Sequence, residues 1–333
     1  AYDGAIAYVD RVVGRLLDGY RQSGRYDNAM VVIVADHGES LGEHGEKTHG
    51  VFIYDAAVRI PFVMRGPGIV PGTSVSAPVA LIDIMPTVLG SAGFEVPPSV
   101  SGRDLRSLSA DHAATDSDRA IYVESLLPEL SFGWSPLRGL RSDRWKFIQG
   151  AAAELYDLDA DPGELEDVAA EHIDVAVEMS SQLAELIAYE GPTTAAALEI
   201  DEAERSRLAA LGYITAAGRD LDSREGGELP DPRDKIETLN RLHSAMTRFA
   251  EGDQEGAISD LDDLLAEEPT NPSVLATSGS LRFRVGDFAG AADAYSRAAR
   301  LAPNQANYSE LEAVSLERLG LFEEALEACD RAL

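Results

Sequence analysis

The amino-acid sequence predicts an α/β unit followed by an all-α repeat solenoid. A short β-branched run, VVIV, ends almost directly in polar residues at Asp36, which is typical of a buried strand in an α/β sheet. Near the other end, glycines recur every 34 residues at Gly252, Gly286 and Gly320, which is typical of stacked helical hairpins. The expected parts are an α/β unit over 1–190, a tail helix and polar linker over 191–233, and repeats over 234–333.

Composition excludes several classes of partner. The chain has 333 residues, of which 45% are hydrophobic, enough for about two domains. A formal charge of -30, from 58 acidic and 28 basic side chains, repels phosphate backbones and anionic lipid, so nucleic acid is not an expected partner. The single cysteine, Cys329, excludes an internal disulfide and a thiolate metal cluster. No apolar run approaches the roughly 18 residues of a membrane-spanning helix, so no membrane segment is expected.

The first candidate site follows the apolar strand. In the stretch MVVIVADHGE, Asp36 and His37 come directly after the predicted strand, and ligands bind beyond the carboxyl ends of strands in open α/β sheets. A carboxylate oxygen and an imidazole nitrogen together suit Zn²⁺ or Mn²⁺, or Ca²⁺ or Mg²⁺ where oxygen ligands dominate. The alternative is a helix cap beside a buried, hydrogen-bonded histidine.

The surrounding segment carries a family resemblance. Residues 35–68, ADHGESLGEHGEKTHGVFIYDAAVRIPFVMRGPG, resemble the second metal-binding strand and following loop of the sulfatase branch of the alkaline phosphatase superfamily. The resemblance extends back through YDGAIAYVDRVVGRLL and forward through LIDIMPTVLGSAG to LRGLRSDRWKFIQGAAAELYDLDADPGELEDVA, covering about residues 1–190. It implies part of a mostly parallel sheet, followed by a small antiparallel sheet with a terminal helix.

The resemblance also implies roles for single residues. Asp36 and His37 would bind one divalent metal ion, which is Ca²⁺ in many sulfatases, while the Asp-His pair leaves Mn²⁺ or Zn²⁺ open. A family lysine that contacts the anionic oxygens of the ester precedes a tyrosine that corresponds to Tyr54. Lys47 and His49 are the candidates for this contact, and the spacing to Tyr54 favours His49. The alternative for both is a solvated polar loop.

Other polar residues receive structural interpretations. His44 could orient the loop, and His112, His172 and His243 have no neighbours in the sequence that suggest metal binding. The stretch from Glu154 to Glu171 holds eight acidic residues and neither Lys nor Arg. It lacks the glycine and the bidentate glutamate of an EF-hand loop, so a surface turn is expected.

The resemblance implies a hydrolase of sulfate esters whose nucleophile lies elsewhere. Sulfatases use a formylglycine made from the Cys or Ser of a C/S-x-P-x-R motif, which this sequence lacks. The family order places that motif upstream of the matched region, so this chain is expected to be an inactive fragment of a periplasmic or extracellular enzyme. The alternatives are a phosphodiesterase or phosphonate monoester hydrolase of the same superfamily, or a non-catalytic repeat scaffold.

The repeats resemble the tetratricopeptide repeat in the stretches GDQEGAISDLDDLLAEEP and GDFAGAADAYSRAARLAP. The resemblance covers about two and a half units over residues 234–333 and implies a protein or peptide partner bound in a concave groove lined by the first helix of each unit. Arg282 and Arg284 suggest an acidic peptide. The alternative is that they pair with neighbouring acids. The last unit ends without a polar cap, so exposed apolar residues are expected there.

Overall fold

A computed structural model describes residues 2–110, 119–188, 229–303 and 305–332. The predicted tail helix and most of the predicted linker lie outside these residues. The elements of the first part, in chain order, are α1 (Tyr2–Gln22), β1 (Val31–Val34), α2 (Asp55–Val58), β2 (Phe62–Arg65), α3 (Ile84–Ser91), α4 (Arg106–Ala110), β3 (Ile121–Ser125), β4 (Leu137–Arg141), β5 (Trp145–Gln149), β6 (Ala153–Asp157) and α5 (Ile173–Ala188).

The expectation of a mostly parallel first sheet is wrong for the described residues. Strands β1 and β2 form a two-stranded antiparallel sheet, in which Val31 pairs with Arg65 and Val34 with Phe62. A parallel neighbour needs a long crossover, usually through a helix packed on the sheet. Between β1 and β2 there is instead a polar loop and the four-residue helix α2, which return the chain beside β1 in the opposite direction.

The expected small antiparallel sheet is confirmed. Strands β3, β4, β5 and β6 are hydrogen-bonded in chain order, each antiparallel to the next. Helix α5 packs on this sheet through Met179 and Leu183, which share a buried cluster with Leu140, Phe147 and Leu155. Met179 and Leu183 lie one helical turn apart, and Leu140, Phe147 and Leu155 are register partners on neighbouring strands, so the helix and the sheet bury one continuous apolar patch.

Six helices lie within the described residues 229–303 and 305–332, which make up the second part. Each of the three turns inside a helix pair contains a glycine with positive φ: Gly252 at 103°, Gly286 at 86° and Gly320 at 78°. These left-handed conformations favour glycine, which explains the 34-residue period. The helices are α6 (Pro232–Ala250), α7 (Gln254–Glu267), α8 (Pro272–Arg284), α9 (Phe288–Leu301), α10 (Ala306–Arg318) and α11 (Phe322–Ala332).

The two parts share one hydrophobic core. Phe52 and Trp134 of the first part belong to the same buried cluster as Leu239 and Leu242 of α6. Polar contacts cross the same boundary, since Nδ2 of Asn240 donates to the carbonyl oxygen of Gly45 at 2.8 Å. The helices are therefore packed on the first part and do not form a separate arm.

Apolar residues are exposed on several elements, including the first helix and the last helix pair. Helix α1 has no buried residue among those described, although its sequence is amphipathic. The last helix pair exposes Leu321, Phe322 and Leu326. Within the described ranges, no helix is both long enough and apolar enough to span a membrane.

Candidate functional site

Asp36 and His37 lie side by side just beyond the end of β1. Oδ1 of Asp36 accepts from the backbone N–H of His37 at 3.0 Å, and Nδ1 of His37 donates to the carbonyl oxygen of Gly38 at 2.8 Å. Because Nδ1 is the donor, Nε2 carries the lone pair. Nε2 lies 3.8 Å from Oδ2 of Asp36, and the two side chains are 46% and 85% exposed for His37 and Asp36 respectively. Neither is buried under the sheet.

Gly38 fixes the direction of the chain after this pair. Its backbone N–H donates to the carbonyl oxygen of Ala57 at 2.7 Å, which ties the strand exit to α2. A Cβ atom at Gly38 would lie 2.4 Å from the carbonyl oxygen of Ala56. The close backbone approach therefore requires glycine at this position.

The loop after the strand brings His49 to the pair. The rings of His37 and His49 have centroids 3.9 Å apart and an interplanar angle of 32°. Nδ1 of His49 donates to Oε1 of Glu39 at 3.1 Å, which leaves Nε2 for another partner. Lys47, the second candidate, is exposed. The structure thus brings together Asp36, His37 and His49, while the role of each stays a prediction.

Buried hydrogen bonds hold this loop in place. Glu46 is fully buried, and its carboxylate accepts from the backbone N–H groups of Val51 at 2.9 Å and Phe52 at 3.1 Å. Burial raises the pKa of Glu46, although these two donors oppose the shift. His44 stacks on Tyr54, with ring centroids 3.6 Å apart. Burial lowers the pKa of His44. The loop-orienting role expected for His44 fits this packing.

A buried ion-pair cluster anchors α2 beneath the site. Nζ of Lys146 is fully buried and lies 2.9 Å from carboxylate oxygens of both Asp55 and Glu164. Arg141 lies 3.5 Å from Asp55, and Glu164 accepts from the backbone N–H of Asp55. Two like charges on either side of one cation can be buried because each carboxylate has several partners.

The acidic stretch 154–171 is therefore more than the surface turn that the sequence suggested. Glu164 pairs with Lys146, and Glu154 is buried against Arg233 of α6. Only part of the stretch forms a surface turn, where Oδ2 of Asp161 accepts from the backbone N–H groups of residues 165 and 166. Lys146 and Arg233, the partners of Glu164 and Glu154, lie outside the acidic stretch, so no pattern within the stretch indicates them.

His243 was interpreted from the sequence as a structural residue, and the structure places it near His49. Burial, together with the charge of His49, lowers the pKa of His243. Both histidines line a cavity of about 400 Å³ between the loop and the helices. Nothing local in the sequence of α6 indicates this, since the approach depends on how the helices pack on the first part.

The first helices of the three pairs, which the sequence predicts to line a groove, face the first part of the chain. The cavity is lined by α6, α8 and α10, which are the first helices of the three pairs, and its opposite side is Ser131 and Phe132 of the first part. Arg282 pairs with Asp262 and Asp287, in agreement with the alternative interpretation that it pairs with neighbouring acids. The guanidinium of Arg284 lies over the ring of Phe249, 4.6 Å from its centroid.

The Asp36 and His37 atoms fit part of a metal site. A divalent ion lies about 2.0–2.2 Å from nitrogen or oxygen ligands if it is Zn²⁺, and about 2.3–2.6 Å from oxygen ligands if it is Ca²⁺. Two such distances together exceed the 3.8 Å between Nε2 of His37 and Oδ2 of Asp36, so one ion can contact both. The described ranges contain no group of three or more His, Cys, Asp or Glu arranged for a metal. Metal binding by this pair stays a prediction, and within the described residues the pair alone does not form a complete set of ligands.

Comparisons with known proteins point to one family. Residues 1–94 match the family profile described as Sulfatase. Arylsulfatase K of Mus musculus is 30% identical over 197 residues, which is 56% of this chain and 35% of that protein. Choline-sulfatase of Rhizobium meliloti (strain 1021) is 31% identical over 174 residues, which is 51% of this chain and 32% of that protein. The chain therefore spans about a third of the length of these curated relatives.

A solved structure agrees with this similarity. The structure of BT4656 in complex with its substrate D-glucosamine-2-N,6-O-disulfate has a TM-score of 0.50 and 30% identity, and the match covers 54% of this chain and 38% of that one. The matched residues of the profile include the strand β1, the loop with His49, and β2. Over the matched residues, the amino-terminal part of this chain is therefore similar to sulfatases.

Proposed function

We propose that this chain is part of a metal-dependent hydrolase of sulfate esters. In this proposal Asp36 and His37 bind a single divalent ion, and His49 contacts the anionic oxygens of the ester. The observation that carries it is the juxtaposition of these three side chains beyond β1, within the residues that match the sulfatase profile. Lys47, on the same loop, is the second candidate for the anionic oxygens.

The metal is the least specific part of the proposal. A divalent ion supplies positive charge that stabilises the anionic ester and activates a nucleophile. Ca²⁺ is the ion proposed from the sulfatase resemblance, and the imidazole of His37 also suits Mn²⁺ or Zn²⁺. Further ligands and a formylglycine nucleophile are proposed to come from sequence upstream of residue 1, since the relatives are about three times as long as the matched part. Periplasmic or extracellular location belongs to the same proposal.

The residues of this chain would act by orienting and binding. The carbonyl oxygen of Gly38 holds the Nδ1–H of His37, so that Nε2 faces away with its lone pair. The carboxylate of Glu39 accepts from the Nδ1–H of His49, so that Nε2 of His49, when it also carries a proton, can donate to an anionic oxygen of the ester. Preplaced groups of this kind stabilise charge without having to reorganise during the reaction.

A second candidate function has one specific observation in its favour. His37 stands where many sulfatases have asparagine, and histidine there is shared with relatives that cleave phosphate or phosphonate esters. The imidazole beside Asp36 therefore also supports a phosphodiesterase or phosphonate monoester hydrolase. A scaffold function for the helices is a different class, and loss of all ester cleavage would support it.

The test uses the complete natural protein that contains this chain. Release of para-nitrophenol is measured from para-nitrophenyl sulfate, from the corresponding phosphate diester and from a phosphonate monoester. Asp36→Asn and His37→Gln should each reduce kcat/KM for the sulfate by about 100-fold or more, because the first removes the negative charge of one proposed metal ligand and the second removes the imidazole nitrogen of the other. His172→Gln is the control, since that ring packs on Trp145. Wild-type rates in both site variants would overturn the proposal, and preference for a phosphorus ester would favour the second candidate.

A further inference from the structure

We propose that the helices α6, α8 and α10 form one wall of the substrate pocket, and that the cavity of about 400 Å³ beside His49 binds a neutral sugar that carries the ester. This inference rests on the proposed function for the anionic end of the substrate. It assigns the helical part a role in substrate binding in addition to any protein partner.

The position of His49 connects the two sites. Its ring contacts that of His37 at a centroid distance of 3.9 Å, and the same residue lines the cavity together with His243. A substrate whose anionic group lies against Asp36, His37 and His49 can therefore extend its organic part directly into the cavity.

The wall that faces this cavity is firmly attached. Nε2 of Gln305 donates to the carbonyl oxygen of Leu130 at 2.9 Å, and Oγ of Ser273 donates to the carbonyl oxygen of Ser131. Nδ2 of Asn240 donates to the carbonyl oxygen of Gly45 in the loop that carries His49. These contacts and the shared core fix the helices relative to the loop, as a substrate pocket requires.

The lining of the cavity indicates the class of ligand. Among the described residues that line it there is no Asp, Glu, Lys or Arg, although 26% of the whole sequence is charged. Hydroxyl and amide groups are present, including those of Thr277 and Asn307, and so are aromatic rings, those of Phe132 and Tyr308. A sugar presents hydroxyl groups for the former and an apolar ring face for the latter.

Other ligands fit less well. A quaternary ammonium such as choline is recognised by an aromatic cage, usually with a carboxylate nearby, and no carboxylate is among the described lining residues. An acidic peptide needs cations, and Arg282 is already paired with Asp262 and Asp287. The volume of about 400 Å³ lies within the range of small-molecule pockets, about 300–1,000 Å³.

The test is binding of N-acetylglucosamine to the complete protein, measured by saturation-transfer NMR and calorimetry. Ala276→Leu adds volume at a residue that lines the cavity and should weaken sugar binding by about tenfold or more. Inorganic sulfate, which would bind only at the site of Asp36, His37 and His49, should inhibit ester cleavage equally in the variant and the wild type. Ala266→Leu is the matched control, because Ala266 lies exposed on α7 and the same side chain is introduced.

Asn307→Ala provides a second variant if Ala276→Leu does not fold, since it removes a polar group without adding volume. Unchanged sugar affinity in the folded cavity variants would overturn the inference. The inference would also be overturned if the protein bound choline or an acidic peptide in place of the sugar and Ala276→Leu abolished that binding. Sugar binding that Ala276→Leu abolishes, in a protein that cleaves no sulfate ester, would support the sugar site and overturn the proposed function alone.

Discussion

Lys146→Met tests whether the buried ion pairs beneath the site hold it in place. The substitution keeps most of the volume and removes the positive charge that lies 2.9 Å from both Asp55 and Glu164. These two side chains are 11% and 2% exposed, so water cannot replace the lysine. Asp55 begins α2, whose Ala57 carbonyl accepts the N–H of Gly38. Loss of the lysine should therefore disturb the backbone that follows Asp36 and His37.

The expected loss of unfolding free energy at neutral pH is about 3 kcal/mol. Removing one partner of a buried ion pair costs about 3–5 kcal/mol, and the lower end applies because some partners remain. Arg141 still lies 3.5 Å from Asp55, and Glu164 still accepts from the backbone N–H of Asp55. Urea unfolding of the wild type and the variant gives the difference directly.

The pH dependence of that loss provides a stricter test. Burial already raises the pKa of Glu164, and Lys146 opposes the rise, so the variant should raise this pKa further. A carboxyl whose pKa is higher in the folded protein than in the unfolded protein makes its full contribution to stability below its unfolded pKa. That contribution is lost as the pH rises through the pKa of the folded protein. The deficit of Lys146→Met should thus be small near pH 4 and grow towards pH 7. A deficit below about 1 kcal/mol, or one independent of pH, would refute the reasoning.

Three further variants test separate parts of the fold and site. Gly38→Ala should cost about 1–3 kcal/mol in urea unfolding and weaken metal binding, because its Cβ would lie 2.4 Å from the carbonyl oxygen of Ala56; equal stability would contradict this. Burial lowers the pKa of His44, so wild-type stability should fall as pH drops below about 6.5, and His44→Phe should reduce that fall; an unchanged pH profile would be evidence against it. Burial raises the pKa of Asp83, but the bidentate contacts with Arg119 and two backbone donors outweigh it and lower the pKa overall; Asp83→Asn should cost about 3 kcal/mol at pH 7, and the deficit should shrink as pH falls below about 4, whereas a constant deficit would contradict the assignment.

Local chemistry made much of the fold predictable from the sequence. Gly252, Gly286 and Gly320 recur because a left-handed turn favours glycine, so the helix pairs follow from the period. Asp36 and His37 were predicted at a strand end because an apolar β-branched run stops just before them. These features depend on residues close together in the chain.

Contacts between distant residues were not predictable in this way. The antiparallel pairing of β1 with β2 depends on the path of the loop between them. The pairing of Lys146 with Asp55 joins residues 91 positions apart, and His243 approaches His49 only because α6 packs on the loop. Neither the Lys146–Asp55 contact nor the His243–His49 contact is marked by a sequence period or a local motif.

Metal binding by Asp36 and His37 is the central claim, and a Mn²⁺ titration of the complete protein followed by electron paramagnetic resonance tests it most directly. The wild type is expected to bind the ion at a site that Asp36→Asn and His37→Gln each weaken by about tenfold or more, while His172→Gln leaves it unchanged. Equal Mn²⁺ affinity in the wild type and both site variants would contradict the account.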